Sequence, residues 1–403
     1  MALRILLSTT VHWPAAARLT CAFAGVGARV EGLFPAGHLM GKSRFLAAGH
    51  RYNPLLPLAS LDAAIARSRP DLVVPCDDRA TAHLIVAAAR QPRTRALVER
   101  SLGRLESYAV LTARDRFIAA AIAADIAAPQ TVRIDSEREL DTALSRSGFP
   151  AVLKADARWG GEGVAIVRTR DQARGAFRRL STGGSRLRNL ARALNRRDLH
   201  FLRDAVHLPK IRISLQQFVP GQPATMAFAC RQGRVVASIH MDVLETVRPN
   251  GPASVMRRIN CPEMEAAAAR LAERFGLSGL HGLDFIRDPD GRMHLIEMNP
   301  RATPASALAL GAGHDLVAAL AGTVAPEMHG ARPTVTDNPV IALFPQEWRR
   351  NPASGWLRAA YLDAPWDDPA VLRASLEPGE PVPEHPPAAP ALAPRGRPVP
   401  SAH

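Results

Sequence analysis

The sequence predicts an α/β protein that opens on a parallel sheet and continues into a second, mixed α+β unit. Three observations carry that prediction. Short apolar runs at Leu3–Leu7 and Leu72–Val74 alternate with Ala-rich helical stretches, the pattern of strands buried on both faces of a parallel sheet. Later strand-like runs flank a glycine-rich segment at Trp159–Gly163 and a tight turn at Asp288–Gly291. Beyond Leu376 proline recurs with almost no large apolar residue, so Glu377–His403 is expected to be a disordered tail.

The first unit covers residues 1–112. Its helical patterns are Leu58–Arg67 and Thr81–Arg90, and Pro75-Cys76-Asp77-Asp78 closes the second apolar run in a polar loop. In parallel sheets the carboxyl ends of the strands are where ligands bind. The second unit covers 113–325. A helix over Ala113–Ala124 leads to a strand at Thr131–Ile134 and a helix at Ser136–Ser145, where Ser136 and Glu139 have capping-box spacing. Strands at Ala151–Lys154 and Val164–Val167 follow, then an Arg-dense stretch between Ser181 and Lys210. That stretch reads as an amphipathic surface helix or as a basic flap over an acidic ligand. Residues 326–375 keep enough apolar and aromatic side chains to pack as an extension, and 376–403 form the tail.

Composition narrows the function classes. A chain of 403 residues accommodates two or three structural units. The formal charge is +14, but the cations are almost all Arg, with lysine only at Lys42, Lys154 and Lys210. They are spread along the chain and aromatics are only 5%, so the charge reads as a solvated surface rather than a nucleic-acid interface. No apolar run approaches the ~20 residues of a membrane span, and the start lacks a cleavable leader pattern. A cytoplasmic address follows as the expectation. Cys21, Cys76, Cys230 and Cys261 form no CxxC, which points to isolated thiols rather than zinc or disulfides. Gly37-His-Leu-Met-Gly41-Lys-Ser43 has one residue too few between its glycines for a phosphate-binding loop of the Walker type.

Three segments carry chemistry. His281–Arg301 contains the turn Asp288-Pro-Asp-Gly291 and is predicted to fold as a hairpin. Simple pairing sets Asp284 opposite Leu295, with Glu297 diagonal to it and Asn299 on the same face, and a bulge at Gly291 would shift that register. Two carboxylates and an amide oxygen suit a hard cation such as Mg²⁺. Acids interrupting Leu283, Phe285, Leu295 and Ile296 are costly to bury, and a bound cation offsets that cost. Second, Lys154 ends an apolar strand just before Gly160-Gly161-Glu162-Gly163, a loop whose backbone N–H groups can approach phosphate. Third, Leu215-Gln-Gln-Phe-Val-Pro-Gly221 reads as a strand running into a hinge whose backbone could pair with an adenine edge.

These segments, in this order over Leu111–Arg301, resemble the ATP-grasp superfamily, particularly the branch of carbamoyl-phosphate synthetase and D-alanine–D-alanine ligase. The first unit is similar to the pre-ATP-grasp domain of those proteins. The resemblance implies a two-lobed ATP-grasp domain with its lid lobe at about 130–222. It implies that Asp284, Glu297 and Asn299 hold Mg²⁺ or Mn²⁺ and that Arg301 steadies the transferred phosphoryl group. Lys154 would contact ATP phosphates, Gly160, Gly161, Glu162 and Gly163 would close over them, and Gln217, Phe218 and Val219 would hold adenine. Arg116 stands where the family usually has lysine, Gln217 where the hinge glutamate falls, and Pro223 where a glutamate grips ribose.

The implied activity is an ADP-forming ligase that turns a small-molecule carboxylate into an acyl phosphate for attack by an amine or other nucleophile. An ATP-grasp kinase and a non-catalytic ATP- or nucleic-acid-binding module are the alternatives. Arg248–Arg258 is a candidate for carboxylate recognition, and a homodimer is compatible with the composition.

Overall fold

The computed structural model describes residues 2–156, 163–181, 211–326 and 332–376. Three sheets organise it. The first contains β1 (Arg4–Ser8), β2 (Arg29–Phe34), β3 (Ala48–Arg51) and β4 (Leu72–Pro75), all parallel, in the order β3-β2-β1-β4. Leu6 and Leu7 are fully buried on opposite faces of β1, which explains the uninterrupted apolar run. Helices Pro57–Ser68 and Asp78–Ala88 follow β3 and β4, where the Ala-rich patterns place them.

The second sheet, in the span expected to form the lid lobe and called the lid for short, is antiparallel and ordered β5-β8-β6-β7. Its strands are β5 (Thr131–Ile134), β6 (Ala151–Ala155), β7 (Val164–Val167) and β8 (Ile213–Gln217). Helix Glu137–Ser147 starts at Ser136, whose hydroxyl accepts from the Glu139 N–H at 3.2 Å, while Glu139 returns a bond to the Asp135 N–H. The lid has a core of its own, built from Leu140, Leu144, Leu153, Phe177 and Leu215.

The third sheet has seven strands in the order β13-β12-β9-β10-β11-β14-β15. They are β9 (Gln222–Arg231), β10 (Arg234–Thr246), β11 (Ala253–Ile259), β12 (Gly279–Arg287), β13 (Met293–Asn299), β14 (Val340–Leu343) and β15 (Tyr361–Asp363). Strand alternation divides β9 between two cores. Met226 and Phe228 face the helix Pro262–Phe275, while Ala227 and Ala229 face the helices Leu316–Val324 and Pro14–Ala24. Each core also takes in residues of β1, Leu6 on one side and Ile5 and Leu7 on the other. Each fully buried Leu or Phe contributes about 1.5–3 kcal/mol, so the first and third sheets are stabilised as one body. Among the described residues no helix is long and apolar enough to cross a membrane.

The C-terminal extension joins this body in two ways. Strand β14 pairs with β11 and β15 with β14, over a cluster of Trp348, Trp356, Trp366, Phe344 and Leu362. Asp363 accepts from Arg18, and Asp368 accepts from the Ser43 hydroxyl, so the extension also grips the first sheet's surroundings. Asp363 is 4% exposed, and removing one partner of a buried pair leaves an uncompensated charge. Asp363→Ala should therefore lower unfolding free energy by about 3 kcal/mol, as read by urea denaturation. A change within about 0.5 kcal/mol would show that the clamp adds nothing.

Candidate active site

The hairpin of β12 and β13 presents the acids. Its register differs from the simple one in two places. Arg287 pairs with Met293 around a turn that keeps Asp288 N–H bonded to Arg292 O, with Gly291 at φ 88°. Farther along, the register shifts between Phe285–Leu295 and Asp284–Glu297, leaving Ile296 as the extra residue. Asp284 therefore sits directly opposite Glu297, not opposite Leu295. A bulge spends one residue to re-aim side chains, and here it sets two carboxylates side by side.

Their surroundings tune them differently. Burial, and then Glu297, push the Asp284 carboxyl up from its ordinary value, partly opposed by hydrogen bonds from Thr225 Oγ1 (2.9 Å) and Asn299 Nδ2 (2.9 Å). Burial pushes Glu297 up as well, but Arg114 and Lys154 outweigh it and hold Glu297 below its usual range. The two carboxyls are thus pushed in opposite directions, and a further cation between them would lower Asp284 as Arg114 and Lys154 lower Glu297.

Cations reach the acids from the lid and from the helix Arg114–Ile122. Lys154, on β6, is 5% exposed with Nζ 3.5 Å from Ile296 O. Burial lowers it from 10.5 to about 8, although Glu297 and Asp284 act to keep it charged. Arg114 bridges Asp156 Oδ1 (2.8 Å) and Glu297 Oε1 (2.6 Å), and among the described residues its buried Nε has no partner. Arg116, expected in this role, is exposed on another side of the helix. Arg114 is the residue that enters the site.

Arg301 approaches from the first sheet's side. Its Nε donates to Asp78 Oδ1 (2.9 Å), Nη2 to Asn299 Oδ1 (3.0 Å) and Nη1 to Ala302 O (3.3 Å), and its guanidinium lies 5.0 Å from the Trp13 ring centroid.

Gln217, Phe218 and Val219, expected to hold adenine, end strand β8 and run into its connection to β9. Alternation along β8 turns Gln216, not Gln217, toward the large sheet. Gln216 is 2% exposed, and its Nε2 bonds to Thr131 Oγ1 (2.9 Å) and Ile296 O (3.4 Å). Gln217 is exposed, and its backbone N–H bonds to Gln130 O. Phe218 and Val219 are partly exposed in the connection to β9. Gly221 ends that connection at φ 149°, where a Cβ would fall 2.0 Å from Arg287 O, so only glycine fits.

Gly160, Gly161 and Glu162, like the Arg-dense stretch and the tail, lie outside the described residues. Gly163 lies at the edge of β7, and its carbonyl accepts from Ala155 N–H. Within the Arg248–Arg258 candidate, Arg257 pairs with buried Asp242 and Arg258 bonds to Leu310 O.

The donor set fits a magnesium nucleotide. Among the described residues no three His, Cys, Asp or Glu side chains group as a metal cage. Two acids and an amide oxygen make an incomplete shell, of the kind that substrate phosphates complete around Mg²⁺. Arg114 and the buried Lys154 are cations of the kind that such phosphates need.

Residues 191–305 match the family description "ATP-grasp domain". No curated protein matches the chain. Among solved structures, the biotin carboxylase domain of Hydrogenobacter thermophilus 2-oxoglutarate carboxylase, in complex with MgADP, ADP and bicarbonate, is 14% identical. Its TM-score is 0.55, with 80% of this chain and 70% of that chain covered. N5-carboxyaminoimidazole synthetase from Staphylococcus aureus, complexed with ADP, is 10% identical at TM-score 0.57, covering 80% and 78%. The L-amino acid ligase of Bacillus licheniformis is 16% identical at TM-score 0.56, covering 80% and 75%. At these identities the likeness is one of fold.

Proposed function

We propose that this chain, which carries an ATP-grasp domain, is an ATP- and Mg²⁺-dependent ligase that activates a carboxylate for attack by an amine or other nucleophile. The observation that carries the reading is the bulge that opposes Asp284 and Glu297, with Lys154, Arg114 and Arg301 converging on them from three directions.

Bound ATP would supply the γ-phosphoryl group that turns a carboxylate into an acyl phosphate. Asp284, Glu297 and Asn299 would hold the metal. Asn299 here gives its amide nitrogen to Asp284 and its oxygen to Arg301, so it would turn its amide over to offer oxygen to a metal held between the two acids. Lys154 and Arg114 would neutralise phosphate oxygens from the lid side, and Arg301 from the side of the first sheet. Phosphoryl transfer needs chiefly positioning and electrostatic stabilisation, and these groups are buried where such contacts are strong. Gln216, Phe218 and Val219 would line the adenine end, with Gly163 and the preceding loop over the phosphates. Pro223 leaves no side-chain acceptor for ribose at its own position.

Phosphate release measured over a panel of carboxylic acids, bicarbonate included, with and without amines, tests the assignment. The expected result is release that requires both Mg²⁺ and one acid, and a stable coupled product only when a nucleophile is present. ADP with a stable phosphorylated acid and no dependence on a nucleophile would identify a kinase instead.

A further inference from the structure

The ion pair between Arg301 and Asp78 crosses from the large sheet to the first sheet, 223 positions apart in sequence. Asp78 is the first residue of the helix that follows β4, at the carboxyl end of the parallel sheet. Its neighbour explains its placement. Asp77 is 1% exposed and fully engaged, capping that helix at Ala80 N–H (2.9 Å) and accepting from the Thr10 N–H (2.6 Å) and the Thr10 and Thr9 hydroxyls. That fixes the helix start and turns Asp78 toward Arg301.

The segment bearing Arg301 is tied to the same place through its backbone. Thr81 Oγ1 donates to Pro300 O (3.0 Å), and Ala302 N–H donates to Pro75 O (3.0 Å). Arg301 is 8% exposed. A guanidinium has five N–H groups. Asp78, Asn299 and Ala302 take one from each nitrogen, so among the described residues one N–H remains on each terminal nitrogen. A fork of that kind matches two oxygens of a phosphoryl or carboxylate group. Trp13 closes one face of the plane. Asp78 is the only one of these partners that is charged, and it holds the Nε edge opposite the fork.

We propose that Asp78 is a positioning residue, through which the first domain aims Arg301 at the phosphoryl group in transit. The inference rests on the ATP-dependent reading of the site. It assigns the first domain a part in the chemical step itself, in addition to any part in binding substrate.

Asp78→Ala and Asp78→Asn in the full-length chain test it. Calorimetry would give the affinity for MgATP and for MgADP with aluminium fluoride, a mimic of the phosphoryl group in flight, alongside thermal melts. A positioning residue matters more for the transition-state mimic than for the ground state. Asp78→Ala should change MgATP affinity by less than about three-fold and weaken the fluoride complex by about ten-fold or more, the worth of one charge-assisted bond. Asp78→Asn, still able to accept from Nε, should fall between wild type and Asp78→Ala. It also serves should the alanine variant fail to fold. Equal losses for the two ligands, or no loss for either, would overturn the proposal while leaving the ATP reading intact. A wild-type protein that binds neither ligand would overturn both.

Discussion

Lys154→Met is expected to weaken MgATP binding by roughly one to two orders of magnitude without lowering the melting temperature. The reason lies in the same burial that makes Lys154 useful. The side chain is 5% exposed and its ammonium is held down to about 8 from 10.5, with burial the main cause. Methionine keeps the apolar stem and removes a charge that folding disfavours. What is lost is a charge-assisted contact with phosphate, about 1.5–3 kcal/mol.

The sign of the pH effect follows. Because the folded-state value is depressed, the unfolded chain binds more protons between pH 8 and 10.5, so wild-type stability should gain from this group as pH rises through that window. In Lys154→Met that gain should vanish. Calorimetric ATP titrations and thermal melts of both proteins from pH 7 to 10.5 check the prediction. Equal ATP affinities at pH 7 would remove Lys154 from the phosphate site.

Asp284→Asn should have the larger effect on turnover. Asp284 faces Glu297 across the bulge, and burial together with that neighbour raises its carboxyl. Asparagine relieves the like-charge contact and can still accept from Asn299, so the folded protein should be at least as stable. The metal shell would lose one of its two carboxylates. Phosphate release should fall by about 10²–10³-fold, and the Mg²⁺ concentration needed for half-maximal ATP binding should rise about ten-fold or more. Unchanged Mg²⁺ dependence would show that Asp284 is not a ligand. A parallel loss of melting temperature would mark it as a structural acid.

Much of this was legible in the sequence because period and spacing survive folding. The strands at Thr131–Ile134 and Val164–Val167 appear with those bounds, and the parallel first sheet appears where the apolar runs place it. The bulge at Ile296 was not legible, since nothing in Leu-Ile-Glu marks an extra residue. Arg114 was legible and missed. It lies three and four residues before Phe117 and Ile118, which are buried, and so on the inward side of the helix, whereas Arg116 does not. Gln216 was missed in the same way, because it shares the face of Lys154 across β6 and β8 while Gln217 continues the face of Leu215. The loop bearing Asp78 was legible as lying at a strand's carboxyl end, but its pairing was not, because Arg301 is brought to it only by the assembled fold.

The extension at the end of the chain bears on how the cleft can move. By adding β14 and β15 to the large sheet while clamping Arg18 and Ser43, it locks the floor of the cleft to the first sheet. The lid is the described sheet with a separate core, and it joins that floor through residues 123–130 and at Gly221, where the chain presses on the Arg287 carbonyl. On the proposed function, closure of the lid over a nucleotide would then be a one-sided motion, like a jaw against a fixed anvil. Arg301, Asn299 and Asp284 would keep their places while Lys154 travelled. A label on the exposed face of the helix Glu137–Ser147 would report every such stroke against a reference placed anywhere on the anvil.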